Sequence, residues 1–159
     1  MADELSASAQ RVQAALNRYG LTCQVVEMPA ATRSAKEAAQ AIGCRVEQIV
    51  KSIVFKAALT GKPVLVVASG PNRINEKTLS ELVGESIEKA DADFVRRRTG
   101  FAIGGVSPVG HLEPLNIFID EDLLQYDEIW AAAGTPHAVF KLTPADLQTI
   151  TAGRVVSIK

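Results

Sequence analysis

The sequence predicts a mixed α/β fold: a mixed, largely antiparallel and curled sheet with helices packed around it. Apolar runs of strand length alternate with helical patterns along the chain, which indicates both element types in one layered structure. Two of the longest runs, Ile49–Ala57 and Pro63–Ser69, are separated by a short loop containing Thr60-Gly61-Lys62. So short a loop joins antiparallel strands, which disfavours a purely parallel, doubly wound sheet.

Composition limits the class of protein. The chain has 159 residues, of which 47% are hydrophobic, and this suits a single domain over residues 1–159 with an ordinary core. The net charge of −1 is not that of a protein that coats duplex nucleic acid. The acidic start lacks a basic segment followed by an apolar stretch, and every apolar run is strand-sized. We therefore expect a cytoplasmic protein without a signal peptide or a membrane span.

Two helices and a strand are predicted before residue 45. Apolar residues recur at helical spacing ahead of Gly20, a plausible helix end: Leu5, Val12, Leu16 and Tyr19. A short strand is expected at residues 23–28. Ser34 and Glu37 have the spacing of a capping box, so a second helix should begin there, run to about Ile42 and end at Gly43.

The rest of the chain continues the alternation. Asn75 and Asp91 can cap helices that run to about Val83 and Arg98. Glycines and a proline in residues 101–112 predict an irregular backbone. Further strands are predicted at residues 115–119, 128–133, 137–142 and 155–158. Thr143-Pro144 should open the last helix, since proline suits the first helical position.

Lys51 is the first candidate for chemistry. Side chains alternate along a strand, so Lys51 shares a face with Ile53 and Phe55, while Lys56 lies on the opposite face. An ammonium on an apolar strand face is costly to bury, so it usually has an anionic partner or a ligand. A lysine that extends to water from the start of the strand explains the pattern equally well.

The second candidate is the glycine loop, Gly104-Gly105-Val106-Ser107-Pro108-Val109-Gly110-His111. Glycines let a backbone approach a ligand closely, and the proline stiffens the same segment. Such a loop can direct several N–H groups at an anion or a developing oxyanion. A tight structural turn is the alternative interpretation.

The glycine loop is similar to known motifs in sequence but matches none of those considered. Gly105 and Gly110 have the spacing of a P-loop, but His111 stands where lysine is required. The glycine pattern is not that of a dinucleotide site. Ser107 is disfavoured as a covalent nucleophile, because Val109 replaces the last glycine of a nucleophile elbow and no Ser-His-Asp order supports it.

Three further features carry weaker hypotheses. In Gly134-Thr135-Pro136-His137, the histidine ends a turn between strands; a structural role is commoner there, although a strand end favours a functional one. His111 with Glu113 or Asp120 fits no known metal-site spacing. Arg96-Arg97-Arg98 is interpreted as a solvated helix end, favourable at the C-terminal dipole, with a nucleic-acid backbone contact as the alternative.

In order along the chain, these segments resemble the YbaK/ProX family of aminoacyl-tRNA deacylases. That family includes free-standing trans-editing proteins and the editing insertion of bacterial prolyl-tRNA synthetases. The matching segments span about residues 30–145 and are Thr32-Arg33-Ser34-Ala35 with Glu37-Ala38-Ala39, Ile49 to Lys56, the glycine loop, and Gly134 to Phe140. No synthetase body accompanies them, so the resemblance is to the free-standing kind.

The resemblance implies a role for each matching position. Lys51 corresponds to the family's essential lysine, which engages the phosphate and sugar of the acceptor end. Gly104 to Pro108 match the Gly-x-x-x-Pro loop, whose backbone holds the ester and the attacking water. The catalytic candidates are Lys51, Gly104 and Gly105. The substrate-binding candidates are Thr32, Ser34, Val106, Ser107, Pro108, Gly134 and His137.

The expected function is a trans-editing hydrolase that cleaves the ester of mischarged aminoacyl-tRNA carrying alanine, serine, threonine or cysteine. The expected partner is the acceptor end of aminoacyl-tRNA, with an aminoacyl-tRNA synthetase as a second candidate and neither a membrane nor duplex DNA. No metal or organic cofactor is expected, because the ester is already activated. The alternative is a non-catalytic module that binds a tRNA end or a nucleotide. Such a module has no turnover, so Lys51→Ala could not reduce it.

Overall fold

Eight strands form one mixed sheet in the computed structural model, which describes residues 5–29 and 34–159. The strands are Val25–Glu27 (β1), Ile49–Ala57 (β2), Pro63–Ser69 (β3), Ile87–Lys89 (β4), Asn116–Asp120 (β5), Ile129–Ala132 (β6), Ala138–Leu142 (β7) and Arg154–Val156 (β8). Their order is β1-β7-β6-β2-β3-β5-β8, and β4 pairs with β2 beside this path. The pairs β1–β7, β2–β3, β2–β4 and β6–β7 are antiparallel, whereas β2–β6, β3–β5 and β5–β8 are parallel. The predicted mixed sheet is confirmed.

Five helices pack on the sheet, and their ends follow the predicted caps. They are Ala7–Arg18 (α1), Ala35–Ile42 (α2), Glu76–Val83 (α3), Ala92–Thr99 (α4) and Pro144–Thr151 (α5). The capping box of α2 is formed: the Ser34 hydroxyl accepts from the Glu37 N–H at 3.1 Å, and the Glu37 carboxylate accepts from the Ser34 N–H at 3.2 Å. Gly43 ends α2 in the left-handed conformation, where a side chain would be strained.

The main difference from the sequence prediction is β4. This strand has three residues and pairs with the end of β2, from Ile87↔Ala57 to Phe55↔Lys89. A segment so short shows no periodicity, so only its pairing identifies it. Two short 3-10 helices, Val46–Gln48 and Glu121–Gln125, were also not predicted, and the strand ends differ by at most two residues.

The sheet has a core on each face. On one face, α1, α4 and α5 cover apolar residues that include Val50 and Val54 of β2. On the other face, α3 covers Phe55 and the half-buried Ile53, and α2 packs beside it on Ile49. The alternation predicted for β2 is therefore confirmed. Among the described residues, no helix is long and apolar enough to cross a membrane.

Two strands share one edge of β2, and the gap between them determines where the site lies. Strand β3 pairs with β2 continuously from Val50 to Lys56, so β6 and β4 share the opposite edge. Strand β6 pairs there at Ile49 and Val50, and β4 at Phe55 to Ala57. Within the described ranges, residues 51–54 have no strand on that edge, which leaves a gap in the sheet.

Candidate functional site

Two cavities meet at the gap in the β2 edge. The first has a volume of about 400 Å³ and is formed by α2, β2, β6 and the glycine loop. The second has a volume of about 590 Å³ and extends towards Arg73 and Lys89. The residues shared by both cavities are Lys51, Ser52, Ile53, Ile103 and Val106. The described lining of the first cavity contains no carboxylate, and Lys51 is its one charged side chain.

Lys51 presents an unpaired ammonium to both cavities. It is half-buried, and in the described part of the chain it has no ion-pair partner within 4.0 Å. Burial lowers the pKa of Lys51, the positive charge of Arg73 lowers it further, and the carboxylate of Asp120 acts in the opposite direction. A desolvated cation without a partner is suited to bind an anionic group of a ligand.

The glycine loop brings two residues with unbonded backbone N–H groups to the wall of the first cavity. Gly104 has φ +92°, in the left-handed region that favours glycine. The N–H of Gly105 donates to the Ala102 carbonyl at 3.0 Å and is therefore occupied. Gly104 and Val106 both line the cavity, and neither of their N–H groups has an acceptor within the described residues. These two groups are free to donate to a ligand.

Two glycines allow close packing of the backbone around the site. A Cβ on Gly105 would lie 2.7 Å from the Thr135 Cα, so the glycine loop contacts the turn before β7 directly. A Cβ on Gly134 would lie 2.8 Å from the Ser8 carbonyl oxygen in α1. Both contacts are with backbone, which cannot move aside as the end of a side chain can.

The side chains of Arg11 in α1 and of His111 in the loop itself hold the far end of the glycine loop. Arg11 of α1 donates from Nε to the Gly110 carbonyl at 3.0 Å and from Nη2 to the Thr99 carbonyl at 3.3 Å, with its guanidinium 4.2 Å from the Phe101 ring centre. His111 Nε2 lies 2.6 Å from the Ser107 carbonyl oxygen. Because a carbonyl only accepts, that nitrogen carries the proton. Burial lowers the pKa of His111, which favours the neutral ring.

Ser107 is fully buried, and its hydrogen bonds are made within the glycine loop. Its hydroxyl accepts from the Val109 N–H at 3.1 Å, and its carbonyl accepts from His111. The adjacent Pro108 faces a different cavity, behind the loop, together with His111. The structure thus surrounds Ser107 with structural hydrogen bonds.

The remaining candidates from the sequence are spread around the site. Ser34 lines the first cavity while capping α2. Gly134 packs on α1, as described above. His137 is exposed at the turn before β7, where its carbonyl accepts from the Met28 N–H at 2.6 Å. Thr32 lies outside the described residues. The structure therefore brings Lys51, Ser34, Gly104 and Val106 to one cavity.

The arginine cluster ends α4, as its sequence suggested. Arg97 pairs with Asp93 at 2.8 Å across one turn of the helix. Arg98 pairs with Glu113 at 2.6 Å and donates to the Gly61 carbonyl at 3.0 Å. Two of the three guanidinium groups are thus engaged within the protein.

The sequence patterns did not single out Asp120 as part of the site's support. It is fully buried at the end of β5 and accepts from the Ser69 N–H at 3.0 Å, the Asn72 side-chain amide at 2.7 Å and the Asp122 N–H at 3.0 Å. These bonds fix the segment after β3, which carries Arg73. The Asp122 N–H is a local partner, but Ser69 and Asn72 lie 51 and 48 residues away in sequence, so no local pattern predicts those two bonds.

Comparison with known proteins agrees with this geometry. Residues 29–150 match the family described as the aminoacyl-tRNA editing domain. A crystal structure described as "a putative trans-editing enzyme for prolyl tRNA synthetase" superposes with a TM-score of 0.93 and 51% identity, covering 98% of this chain and 99% of that one. The likeness confirms the fold class over nearly the whole chain.

Two curated bacterial proteins are more distant relatives. The Enterococcus faecalis protein named "Putative Cys-tRNA(Pro)/Cys-tRNA(Cys) deacylase EbsC" is 28% identical, with 79% of this chain and 76% of that protein aligned. The "Uncharacterized protein YwhH" of Bacillus subtilis is 25% identical, with 93% and 94% aligned. With most of its length matched by the family and the segments in the expected order, this chain belongs to the YbaK/ProX family of aminoacyl-tRNA editing domains.

Proposed function

We propose that the protein is a trans-editing hydrolase that cleaves the ester of mischarged aminoacyl-tRNA carrying a small amino acid: alanine, serine, threonine or cysteine. The observation that carries the proposal is the meeting, in one cavity, of the unpaired Lys51 ammonium with the free N–H groups of Gly104 and Val106. A cation and two N–H donors in the same cavity suit a substrate in which a phosphate and a carbonyl lie close together.

Lys51 binds the nucleotide end of the substrate. Its ammonium lies where both cavities meet, so it can contact a phosphate oxygen of the acceptor end while the aminoacyl group occupies the first cavity. Arg73 and Lys89 line the second cavity and add positive charge along the same path. A charge-assisted bond to phosphate is stronger than a neutral one and fixes the position of the ester.

The N–H groups of Gly104 and Val106 polarise the ester and stabilise the oxyanion. Water attacks the carbonyl carbon, the bond to the ribose oxygen breaks, and that oxygen takes up a proton. The described lining of the first cavity, which holds the ester, offers no carboxylate or histidine to move this proton, and Glu76 lines only the second cavity. The substrate's own 2′-hydroxyl is therefore assigned the relay, in keeping with the family resemblance. Backbone donors held in place before the reaction need no reorganisation when the charge develops.

The apolar wall of the first cavity limits the size of the amino acid. Ile42, Val139 and the half-buried Trp130 line the first cavity beside the alanines of α2. A wall of this kind rejects bulky side chains by overlap but discriminates poorly among small ones. The relative named for Cys-tRNA(Pro) and Cys-tRNA(Cys) supports a small amino acid as substrate.

The decisive experiment measures deacylation of tRNAs charged with alanine, serine, threonine, cysteine and proline. The wild-type protein should remove one or more of the small amino acids faster than buffer alone, and Lys51→Ala should abolish this. Lys56→Ala is the matched control, because Lys56 lies on the same strand but projects to the opposite face, 5.5 Å from the Phe94 ring centre.

A protein that binds charged tRNA but leaves every ester at the buffer rate would contradict the proposal. That result would favour the non-catalytic module. An equal loss of activity in both lysine variants would contradict the role given to Lys51.

A further inference from the structure

Ser52 has a buried hydroxyl without a hydrogen-bond partner. It lies next to Lys51 in β2, on the face that carries Val50 and Val54. Its Oγ is shielded from solvent and has no partner among the described residues, although the residue lines both cavities. The unpaired oxygen therefore belongs to a residue in the wall of the space that a ligand would fill.

The other buried hydroxyls in residues 5–29 and 34–159 have hydrogen-bond partners. Ser69 Oγ donates to the Glu47 carbonyl at 2.7 Å, and Thr99 Oγ1 donates to the Val95 carbonyl at 2.7 Å. Ser107 Oγ accepts from the Val109 N–H at 3.1 Å. Leaving a buried hydroxyl unpaired costs free energy that an apolar residue would avoid. An unpaired hydroxyl in a cavity wall is thus expected to find its partner in the ligand.

We propose that Ser52 is a specificity-determining residue whose hydroxyl bonds to a hydroxyl or thiol on the substrate's aminoacyl side chain. The inference rests on the proposed function and narrows it: the enzyme prefers seryl, threonyl and cysteinyl esters to the alanyl ester. The first cavity supports this choice because the other side-chain hydroxyl in its described lining, that of Ser34, already accepts a hydrogen bond in capping α2.

The substrate's α-ammonium is a poorer partner for this oxygen. Moving a cation to a site shielded from water costs far more than moving a neutral hydroxyl there. The ammonium of Lys51, on the adjacent residue, adds repulsion to that cost. A neutral polar atom on the amino-acid side chain has neither penalty.

The test compares two esters on one tRNA transcript, charged with serine or with alanine. In the wild type, kcat/KM for the seryl ester should exceed that for the alanyl ester. Ser52→Ala should lower the seryl value about tenfold, as expected for one hydrogen bond in a closed site, and leave the alanyl value within about twofold. Ser86→Ala, at an exposed position, is the control and should change neither value.

A second measurement separates binding from structure. The ligand-free Ser52→Ala variant should have a Tm equal to or above that of the wild type, because the substitution removes an unpaired buried hydroxyl. An equal loss for both esters, an unchanged ratio or a lowered Tm would overturn the inference. An active wild type with an unchanged ratio would refute only this inference, whereas a wild type inactive on every ester would refute the proposed function as well.

Discussion

Lys51 and Asp120 lie in one row across three strands, on either side of Ala68. Lys51 pairs with Ala68 on β3, and the β3–β5 register continues from Val67↔Ile119 to place Asp120 beside Ala68. The small side chain between them leaves the ammonium and the buried carboxylate on the same face. Asp120 favours the charged form of Lys51, while burial and Arg73 disfavour it. The protonation of the proposed catalytic lysine is thus set first by burial and then by two neighbours of opposite charge.

We expect the pH dependence of deacylation to follow this balance. Phosphate binding needs the protonated lysine, so kcat/KM should fall as pH rises through a pKa that lies below the ordinary value for lysine. Arg73→Gln removes a positive charge and should move this fall to higher pH, whereas Asp120→Asn should move it to lower pH. The measurement is kcat/KM against pH, corrected for spontaneous ester hydrolysis, with Arg96→Gln as the control. Identical profiles in all variants would contradict the proposed coupling.

Replacing Lys51 by methionine should abolish activity without loss of stability. Because the folded-state pKa of Lys51 is lowered, its charged form opposes folding at pH values below that pKa. The penalty shrinks as pH rises and is gone above the pKa of the unfolded chain. Urea unfolding should therefore find Lys51→Met at least as stable as the wild type near pH 7, with any advantage smaller at alkaline pH. A clear destabilisation near pH 7 would show that the ammonium has a stabilising partner.

Removing the Asp120 carboxylate should destabilise the fold. Asp120→Ala leaves the Ser69 N–H, the Asn72 amide and the Asp122 N–H without their acceptor, and unsatisfied buried donors lead us to expect a loss of about 2–4 kcal/mol in the free energy of unfolding. The control is Asp93→Ala, which breaks only an exposed ion pair and should cost less than about 1 kcal/mol. Similar losses in the two variants would contradict the structural role of Asp120.

Gly105 and Gly153 offer a matched pair of glycine substitutions. Neither has a positive φ, so alanine suits both backbones and gains some stability by restricting the unfolded chain. The Gly105→Ala Cβ would meet the Thr135 backbone at 2.7 Å, and we expect a net loss of about 1–3 kcal/mol from overpacking. The Gly153→Ala Cβ would meet side-chain atoms of Ile117 and Ile119 at 3.0 Å, a contact that a shift of a few tenths of an ångström relieves. Thermal unfolding of both variants tests this, and a Tm loss at Gly153 equal to that at Gly105 would contradict it.

Local sequence patterns predicted most of the secondary structure. The caps at Ser34, Asn75, Asp91 and Thr143 each begin a helix, because a cap depends only on residues within one turn. The alternation along β2 correctly assigned Lys51 and Lys56 to opposite faces for the same reason. The glycine loop, which the sequence and the family resemblance both predict as part of the site, forms one wall of the cavity.

What the sequence determined by itself is therefore the set of local features: helix caps, strand faces, the proline-stiffened glycine loop and the segments shared with a family. Only the tertiary structure decided the gap in the β2 edge, which N–H groups stay free around it, and that Ser52 lacks a partner. The gap depends on contacts between residues far apart in sequence, which place β6 and β4 on one edge of β2. The free N–H groups depend on which donors the folded loop itself occupies, such as that of Gly105, which donates to Ala102. Whether a polar group lacks a hydrogen-bond partner depends on the whole surrounding structure, so the residue type alone cannot predict it.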